Sequence, residues 1–296
     1  MPRLTGLNAV VTGATRGLGL SIARSLAGAG ANVVINGRTA EACRRAIDAV
    51  GHQPGSVDYV AGGIDEERTA QALIDRCQDA FGPVGFVVNN AGITRDKSLM
   101  NMTVDDFDEV VAVHLRGTWL MCRAAARAMK GSGGTILNVT SGSALYGLVG
   151  QSNYAAAKGG VIALTRALSV ELARYSVRVN ALYPVALTDM TAPVLELSGG
   201  TDGRLSGVFG DPDHVAKLVV MLADSSIALS GQILGFDGAE LAVWSHPDQL
   251  YSISHSAPWT EDQLHQALEA VVGRPAELHP DAVGLRTRAA LQRPGR

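Results

Sequence analysis

Tyr154 and Lys158 stand four residues apart in the run Gln151-Ser152-Asn153-Tyr154-Ala155-Ala156-Ala157-Lys158. On a helix that spacing puts both side chains on one face, one turn apart. An ammonium beside a phenol favours the phenolate, so the tyrosine can exchange a proton closer to neutral pH than its ordinary value of about 10. Such a group is an acid/base for interconverting an alcohol and a ketone. The spacing alone also fits ordinary helix surface. Two further features bear on it: Ser141, thirteen residues upstream, and a glycine-rich run near the start of the chain.

That run is Val10-Val11-Thr12-Gly13-Ala14-Thr15-Arg16-Gly17-Leu18-Gly19. Asn8–Val11 reads as a buried strand and Leu18–Ala29 as a helix. Three glycines in the pattern Gly-x-x-x-Gly-x-Gly permit a sharp strand-to-helix turn and let a pyrophosphate approach the backbone. The helix N-terminus offers it free N–H groups and a positive dipole end. A glycine-rich turn in some other α/β protein would share the pattern.

Thr12 to Gly19, Asn89-Asn90-Ala91-Gly92, Ser141, Tyr154, Lys158 and Pro184 resemble, in order and spacing, the short-chain dehydrogenase/reductase family over about residues 4–240. The resemblance implies a Rossmann-type fold, a nicotinamide cofactor and hydride transfer to or from a carbonyl carbon. It implies that Tyr154 gives or takes the proton, that Lys158 lowers its pKa and bonds the nicotinamide ribose, and that Ser141 holds the substrate oxygen. Ser143 is a second hydroxyl for Ser141's role. Thr12, Gly13, Gly17, Leu18 and Gly19 would cradle the cofactor. Asn90, Ala91 and Gly92 would border its ribose, although Asn90 can equally be structural. Pro184, Val185 and Thr188 would lie at the nicotinamide carboxamide.

Three positions depart from the family. Its long helix carries an asparagine where this chain has His114, in Val113-His114-Leu115-Arg116-Gly117; His114 could orient water, carry a proton, or be a structural histidine. Gly63 replaces an adenine-bonding aspartate, leaving the Ile64 backbone for that contact. Val185 replaces the glycine of the commoner Pro-Gly start.

Cofactor choice follows from charge. Gly37 ends the second strand where NAD-preferring members carry an acid for the ribose 2′-OH. Arg38 follows it and Arg16 sits in the glycine loop; two guanidinium groups and no carboxylate suit a 2′-phosphate. NADP(H) is therefore expected over NAD(H), against the alternative of two surface arginines. Substrate contacts are expected from Ser141, Ser143, Leu145, Tyr146 and Met190, with Leu148 and Val149 nearby. These suit an apolar chain on a 3-oxoacyl or 3-hydroxyacyl thioester of coenzyme A or an acyl carrier protein. A hydroxysteroid is the alternative substrate. The alternative from another class is a non-catalytic NADP(H)-binding sensor or scaffold, to which the three departures would point. A nucleotide-sugar epimerase is disfavoured by the glycine spacing.

The elements that must position these groups alternate. Strands are predicted near 8–12, 32–36, 56–60, 85–89, 135–140, 178–182 and 232–236, with helices near 17–29, 40–50, 66–81, 104–128, 154–175 and 212–223. This predicts a doubly wound parallel sheet of seven strands with helices on both faces, an α/β fold with its ligands at the carboxyl ends of the strands. Small residues after Tyr154 (Ala155, Ala156, Ala157, Gly159, Gly160, Ala163) fit close helix–helix contact. By resemblance this implies a homo-oligomer, tetramer or dimer, formed together with the helix holding Trp119 and Met121; burial within one subunit fits the same face. Residues 190–211 would be a substrate lid or a plain glycine-rich loop. The predicted domain spans 1–240. An extension, 241–296, has Trp244-Ser245-His246-Pro247 as a turn, a helix Glu261–Val272 capped by Thr260 and Gln263, and a partly flexible tail.

Bulk properties close off other classes. The 296 residues, 47% hydrophobic and 18% charged, suffice for one large core. A net charge of −3 argues against a nucleic-acid or anionic-membrane surface. No apolar stretch reads as a membrane span and no leader is evident. Cys43, Cys77 and Cys122 lack metal-ligand spacing and fit a reducing, cytoplasmic setting.

Overall fold

A computed structural model describes residues 4–186, 211–244, 246 and 260–272, the side chains of 267–272 excepted. The chain divides into two units, Met1–Trp244 and Ser245–Arg296.

The first unit alternates strand and helix: β1 (Asn8–Val11), α1 (Gly17–Gly28), β2 (Asn32–Gly37), α2 (Ala40–Val50), β3 (Val57–Ala61), α3 (Glu67–Phe81), β4 (Phe86–Asn89), α4 (Val104–Val111). There follow one turn of π-helix (Ala112–Arg116), α5 (Gly117–Met129), β5 (Gly134–Val139), a short α6 (Ser143–Tyr146) and α7 (Ser152–Glu171). A 3₁₀ turn (Ala173–Tyr175) leads to β6 (Val177–Pro184); α8 (Pro212–Leu222), β7 (Ile233–Phe236) and β8 (Leu241–Trp244) close the unit.

The sheet order is β3-β2-β1-β4-β5-β6-β7-β8. All pairs are parallel except β7–β8, which is antiparallel. The order reverses between β1 and β4, which opens the crevice where such sheets bind ligands. Alternate residues of β1 feed opposite faces. Ala9 and Val11 join Ile22, Leu26 and Phe86, with Val215 and Val219 of α8, on one side. Val10 joins Leu73, Ile74, Met121 and Met129 under α3 and α5 on the other. Burial on both faces explains why these strands read as continuous apolar runs. Local chemistry sets the helix starts. Thr39 caps α2 by accepting from the Ala42 N–H, Thr103 and Asp106 form a capping box on α4, and Asp211 caps α8 with Pro212 at its first position.

Two expectations are corrected. The sheet has eight strands, not seven: β8 continues it past residue 240, and Trp244, read from the sequence as part of a turn, pairs with Ile233. The helix expected over 104–128 is broken by the π turn into α4 and α5. The sequence carries no mark of that extra residue, because a π turn leaves the apolar pattern nearly intact. In the second unit the described element is α9 (Glu261–Val272). Its capping box is formed, the Thr260 N–H donating to Gln263 Oε1 at 3.0 Å and the Gln263 N–H to Thr260 Oγ1 at 3.3 Å. Among the described residues no helix is long and apolar enough to cross a membrane.

Candidate active site

Ser141 follows β5 at its carboxyl end, and α7 brings Tyr154 and Lys158 beside it. The start of α7 is pinned from below. The fully buried Asn153 donates from Nδ2 to the Arg95 and Asp106 carbonyls at 3.1 Å each, and its Oδ1 accepts from the Tyr154 N–H at 2.7 Å. The Ser141 hydroxyl stands on the Tyr154 phenol's side of the site, where it favours the charged form. Lys158 is buried, and its Nζ donates to the Val139 carbonyl at 2.7 Å and lies 5.8 Å from the centre of the Tyr154 ring.

The expected mutual tuning of this pair is not what the protein scaffold alone produces. Burial pushes the Tyr154 phenol up to about 12, with the Ser141 hydroxyl pulling the other way. Burial also brings the Lys158 ammonium down to about 7. Desolvation disfavours both charged forms and outweighs their attraction across the 5.8 Å gap.

His114 sits in the π turn, buried, its ring edge-on to Tyr154 with centroids 4.9 Å apart. Its Nε2 lies 2.7 Å from the Ile93 carbonyl and 3.0 Å from the Ile93 N–H. We assign the proton to Nε2 on the shorter contact. Nδ1 is then a buried acceptor with no partner among the described residues. Burial, and after it the Lys158 charge, holds the ring well below the ordinary histidine range, so it is neutral.

The glycine loop meets the chain segment after β4. Thr12 Oγ1 accepts from the Asn90 and Ala91 N–H groups at 3.0 and 3.1 Å; Asn90 Nδ2 donates to the Thr12 and Gly13 carbonyls at 3.0 Å each. Asn90 is thus spent on holding the loop. Gly13 has φ +62° and Gly17 φ +53°. A Cβ on Gly13 would lie 2.5 Å from Ala91 Cα, and one on Gly19 would overlap the Gly13 carbonyl and Asn90 Nδ2. The N-cap side chain of α1, Arg16, makes no capping bond, and no acid lies in the first turn. A close-packed glycine turn at such a helix start fits a pyrophosphate. Leu18 is buried beneath it.

Arg38 is exposed and lines an open cleft of about 660 Å³ with Asp65, Ile93, Arg95, Val113 and Arg116. Ile64 is buried, and a Cβ on Gly117 would touch its Cγ2 at 3.0 Å, so its side chain faces the core. Arg16 is exposed. Pro184 ends β6, and the buried Val185 donates its N–H to the Phe236 carbonyl at 2.9 Å. Thr188 and Met190 lie outside the described residues, as does most of the expected lid.

On the substrate side Ser143 is buried, its hydroxyl donating to Gln151 Oε1 at 2.6 Å. Gln151 Nε2 donates to Asp96 Oδ2 at 2.8 Å. Leu145 packs with Ile162, Ala181 and Ile233. Tyr146 meets Trp244 edge-on, centroids 5.2 Å apart. Leu148 is half-buried and Val149 almost fully exposed. Gln151, Asp96 and Trp244 escaped sequence reading. Gln151 stands three residues before Tyr154 as one unremarkable amide, and Trp244 arrives only through β8.

A family model described as short chain dehydrogenase matches residues 7–197. The chain belongs to the short-chain dehydrogenase family. It is therefore an oxidoreductase of a fold that binds a nicotinamide cofactor. The hydroxyacyl-CoA dehydrogenase ChsB1 of Mycobacterium tuberculosis is 39% identical over 260 residues, covering 82% of this chain and 81% of that protein. The human (3R)-3-hydroxyacyl-CoA dehydrogenase is 38% identical over 247 residues, 79% of this chain and 93% of its own. The 3-oxoacyl-[acyl-carrier-protein] reductase FabG of Chlamydia trachomatis is 36% identical over 245 residues, 79% and 97%. A crystal structure of a short chain dehydrogenase from Mycobacterium avium superposes with a TM-score of 0.81 at 29% identity, covering 92% of this chain and 97% of that one.

Proposed function

We propose that this protein interconverts a ketone and a secondary alcohol on a 3-oxoacyl or 3-hydroxyacyl thioester, using NADP(H). The observation that carries the reading is the meeting of Ser141, Tyr154 and Lys158 at the carboxyl end of β5. The names of three relatives on acyl-CoA or acyl-carrier-protein substrates supply the class. When bound, the nicotinamide supplies or accepts the hydride. Ser141 and Tyr154 would both donate to the ketone oxygen, and the Tyr154 proton would pass to it as the alcohol forms. Lys158, buried one helical turn from Tyr154, would hold the cofactor's ribose. His114, neutral, would hold water on its bare Nδ1 in place of the family's asparagine rather than carry charge. A homo-oligomer through α5 and α7 is part of the same reading: Trp119 is 43% exposed and Val170 79%. Gly160 of the small-residue run is turned inward on Leu115, however, while nothing lies near Gly159.

The edge pair Tyr146–Trp244 and the packed Leu145 favour a second reading, a steroid ketone. NADPH and NADH oxidation are measured against acetoacetyl-CoA, a medium-chain 3-oxoacyl thioester and a steroid ketone. The expected result is NADPH-dependent turnover on a thioester that disappears in Tyr154→Phe. Activity on the steroid alone transfers the function to the second reading. Cofactor binding without turnover on any ketone points to a sensor or scaffold. Arg38→Asp is expected to weaken NADPH binding at least about tenfold, the loss of one charge-assisted contact to a phosphate. Unchanged NADPH affinity would remove the basis for NADP(H).

A further inference from the structure

We propose that Tyr183 is a further substrate-binding residue, its phenol donating to the thioester carbonyl of a 3-oxoacyl substrate while Ser141 and Tyr154 hold the ketone. This rests on the thioester reading above and names the group that would tell such a thioester from a plain ketone.

Tyr183 precedes Pro184 at the end of β6. Val139 of β5 stands opposite Leu182, and the Thr140 N–H donates to the Leu182 carbonyl at 2.8 Å. Tyr183 therefore lies one residue past the last register pair, beside the start of the Ser141 turn, since paired strands run about 4.8 Å apart. Its side chain leaves the sheet on the face of Ala181, which packs with Ile162 of α7. Two glycines make room for the ring. A Cβ on Gly142 would lie 2.8 Å from Tyr183 Oη and 2.9 Å from Cζ, and one on Gly235 would meet Cδ1 at 3.5 Å. The base of the ring thus rests on β7, and the hydroxyl on the turn between Ser141 and Ser143.

That hydroxyl is unspent. Among the described residues no hydrogen bond engages Oη, and the side chain is half-buried rather than sealed. Burial, and after it the Asp237 charge, push the phenol up to about 12, so it keeps its proton and has it to give. Its charge is felt at Tyr154 and at Tyr146, in each case after burial. A 3-oxoacyl thioester presents two carbonyl oxygens with one methylene between their carbons. Ser141 and Tyr154 take one, and a donor resting on the Ser141 turn is placed for the other. Ser143 cannot serve, because its proton goes to Gln151 Oε1. Lys158 gives its ammonium to the Val139 carbonyl. Tyr146, the other phenol on this side, ends α6 a turn beyond Ser143, with its ring against Trp244.

The test changes the enzyme and the substrate together. Full-length protein, saturated with whichever of NADPH and NADH it uses, is given acetoacetyl-CoA or S-(3-oxobutyl)-coenzyme A. The second compound is a thioether that keeps the ketone and has a methylene in place of the thioester carbonyl. Tyr183→Phe keeps the ring and loses the proton. Its kcat/KM on acetoacetyl-CoA is expected to fall about three- to tenfold, the worth of one neutral hydrogen bond. On the thioether it should match the wild type. Equal falls on both compounds, as loosening of the Ser141 turn would give, overturn the proposal. So does a fall on neither, or a selective fall that appears in Tyr146→Phe instead. If Tyr183→Phe does not fold, Tyr183→Met, equally without a proton to give, is read by the same comparison. A wild type that turns over neither coenzyme A compound overturns the thioester reading and this assignment with it. An active wild type matched by Tyr183→Phe on both overturns this assignment alone.

Discussion

His114 shows how much a single side chain can be asked to do. Its ring is an edge partner to Tyr154, its Nε2 anchors on Ile93, and its Nδ1 is a buried acceptor without a partner among the described residues. A merely structural histidine would not leave that acceptor bare, since a buried orphan costs about 1–3 kcal/mol. We therefore expect His114→Ala to lower turnover roughly tenfold while cofactor affinity holds and melting stays cooperative. His114→Asn, which brings back an amide acceptor, should recover most of the loss, and His114→Phe, which keeps the ring edge alone, should not. Equal turnover in the phenylalanine variant and the wild type would leave the histidine a packing residue. The sequence exposed this position because it breaks a family pattern. It could not expose Gln151 or Asp96, whose meaning lies in a 2.8 Å contact across 55 residues of chain.

At the scale of elements, the π turn and the segment after β4 form one device. Gly92 is a cradle for His114: a Cβ there would overlap the ring at Cε1 and press within 3.1 Å of Nδ1 and Nε2. Gly92 therefore serves the fit of two elements. Gly92→Ala should displace the His114 ring and cut turnover. Most of the added loss should vanish in a His114→Ala background, where room exists. Double-mutant kinetics measures this; simple additivity would mean that the two elements do not communicate. Most element positions were legible because buried parallel strands and capped helices write themselves as apolar runs and Thr or Asp starts, as at Val10–Val11, Thr39 and Thr103. The π turn was not legible, since one extra residue barely moves the pattern. Nor was β8: Leu241 and Val243 are exposed and Ala242 and Trp244 half-buried, too short and too mixed a run to stand out. Yet β8 brings Trp244 against Tyr146, an expected substrate contact. Trp244→Ala is expected to leave acetoacetyl-CoA turnover nearly unchanged while raising KM for longer or bulkier ketones, by losing the edge contact to Tyr146 worth about 0.5–1.5 kcal/mol. A kcat loss shared equally by short and long substrates would put Trp244 in folding rather than in recognition.

The whole molecule carries a cost for gathering these groups at the carboxyl end of its central strands. Lys158 is buried with its ammonium on the Val139 carbonyl, and burial draws its pKa from 10.5 to about 7. In the unfolded chain it returns to the ordinary value. Between about pH 7 and 10.5 the unfolded state therefore holds a proton that the folded state has released. Stability rises with pH wherever the unfolded state binds more protons, so this residue makes the cofactor-free protein more stable as pH climbs through that window. Below it both states are protonated and the folded one bears the full burden of a buried charge, on the order of a few kcal/mol. Lys158→Met should accordingly melt higher than the wild type near pH 7 and lose that advantage as pH approaches 10.5. Thermal melts of both proteins across the range, compared as a difference so that other groups cancel, test it. A wild type that is the more stable at neutral pH would show that the ammonium is well compensated and that Lys158 is held for the fold. The expected result makes it a destabilising residue, and its retention beside Tyr154 is then explained by chemistry alone.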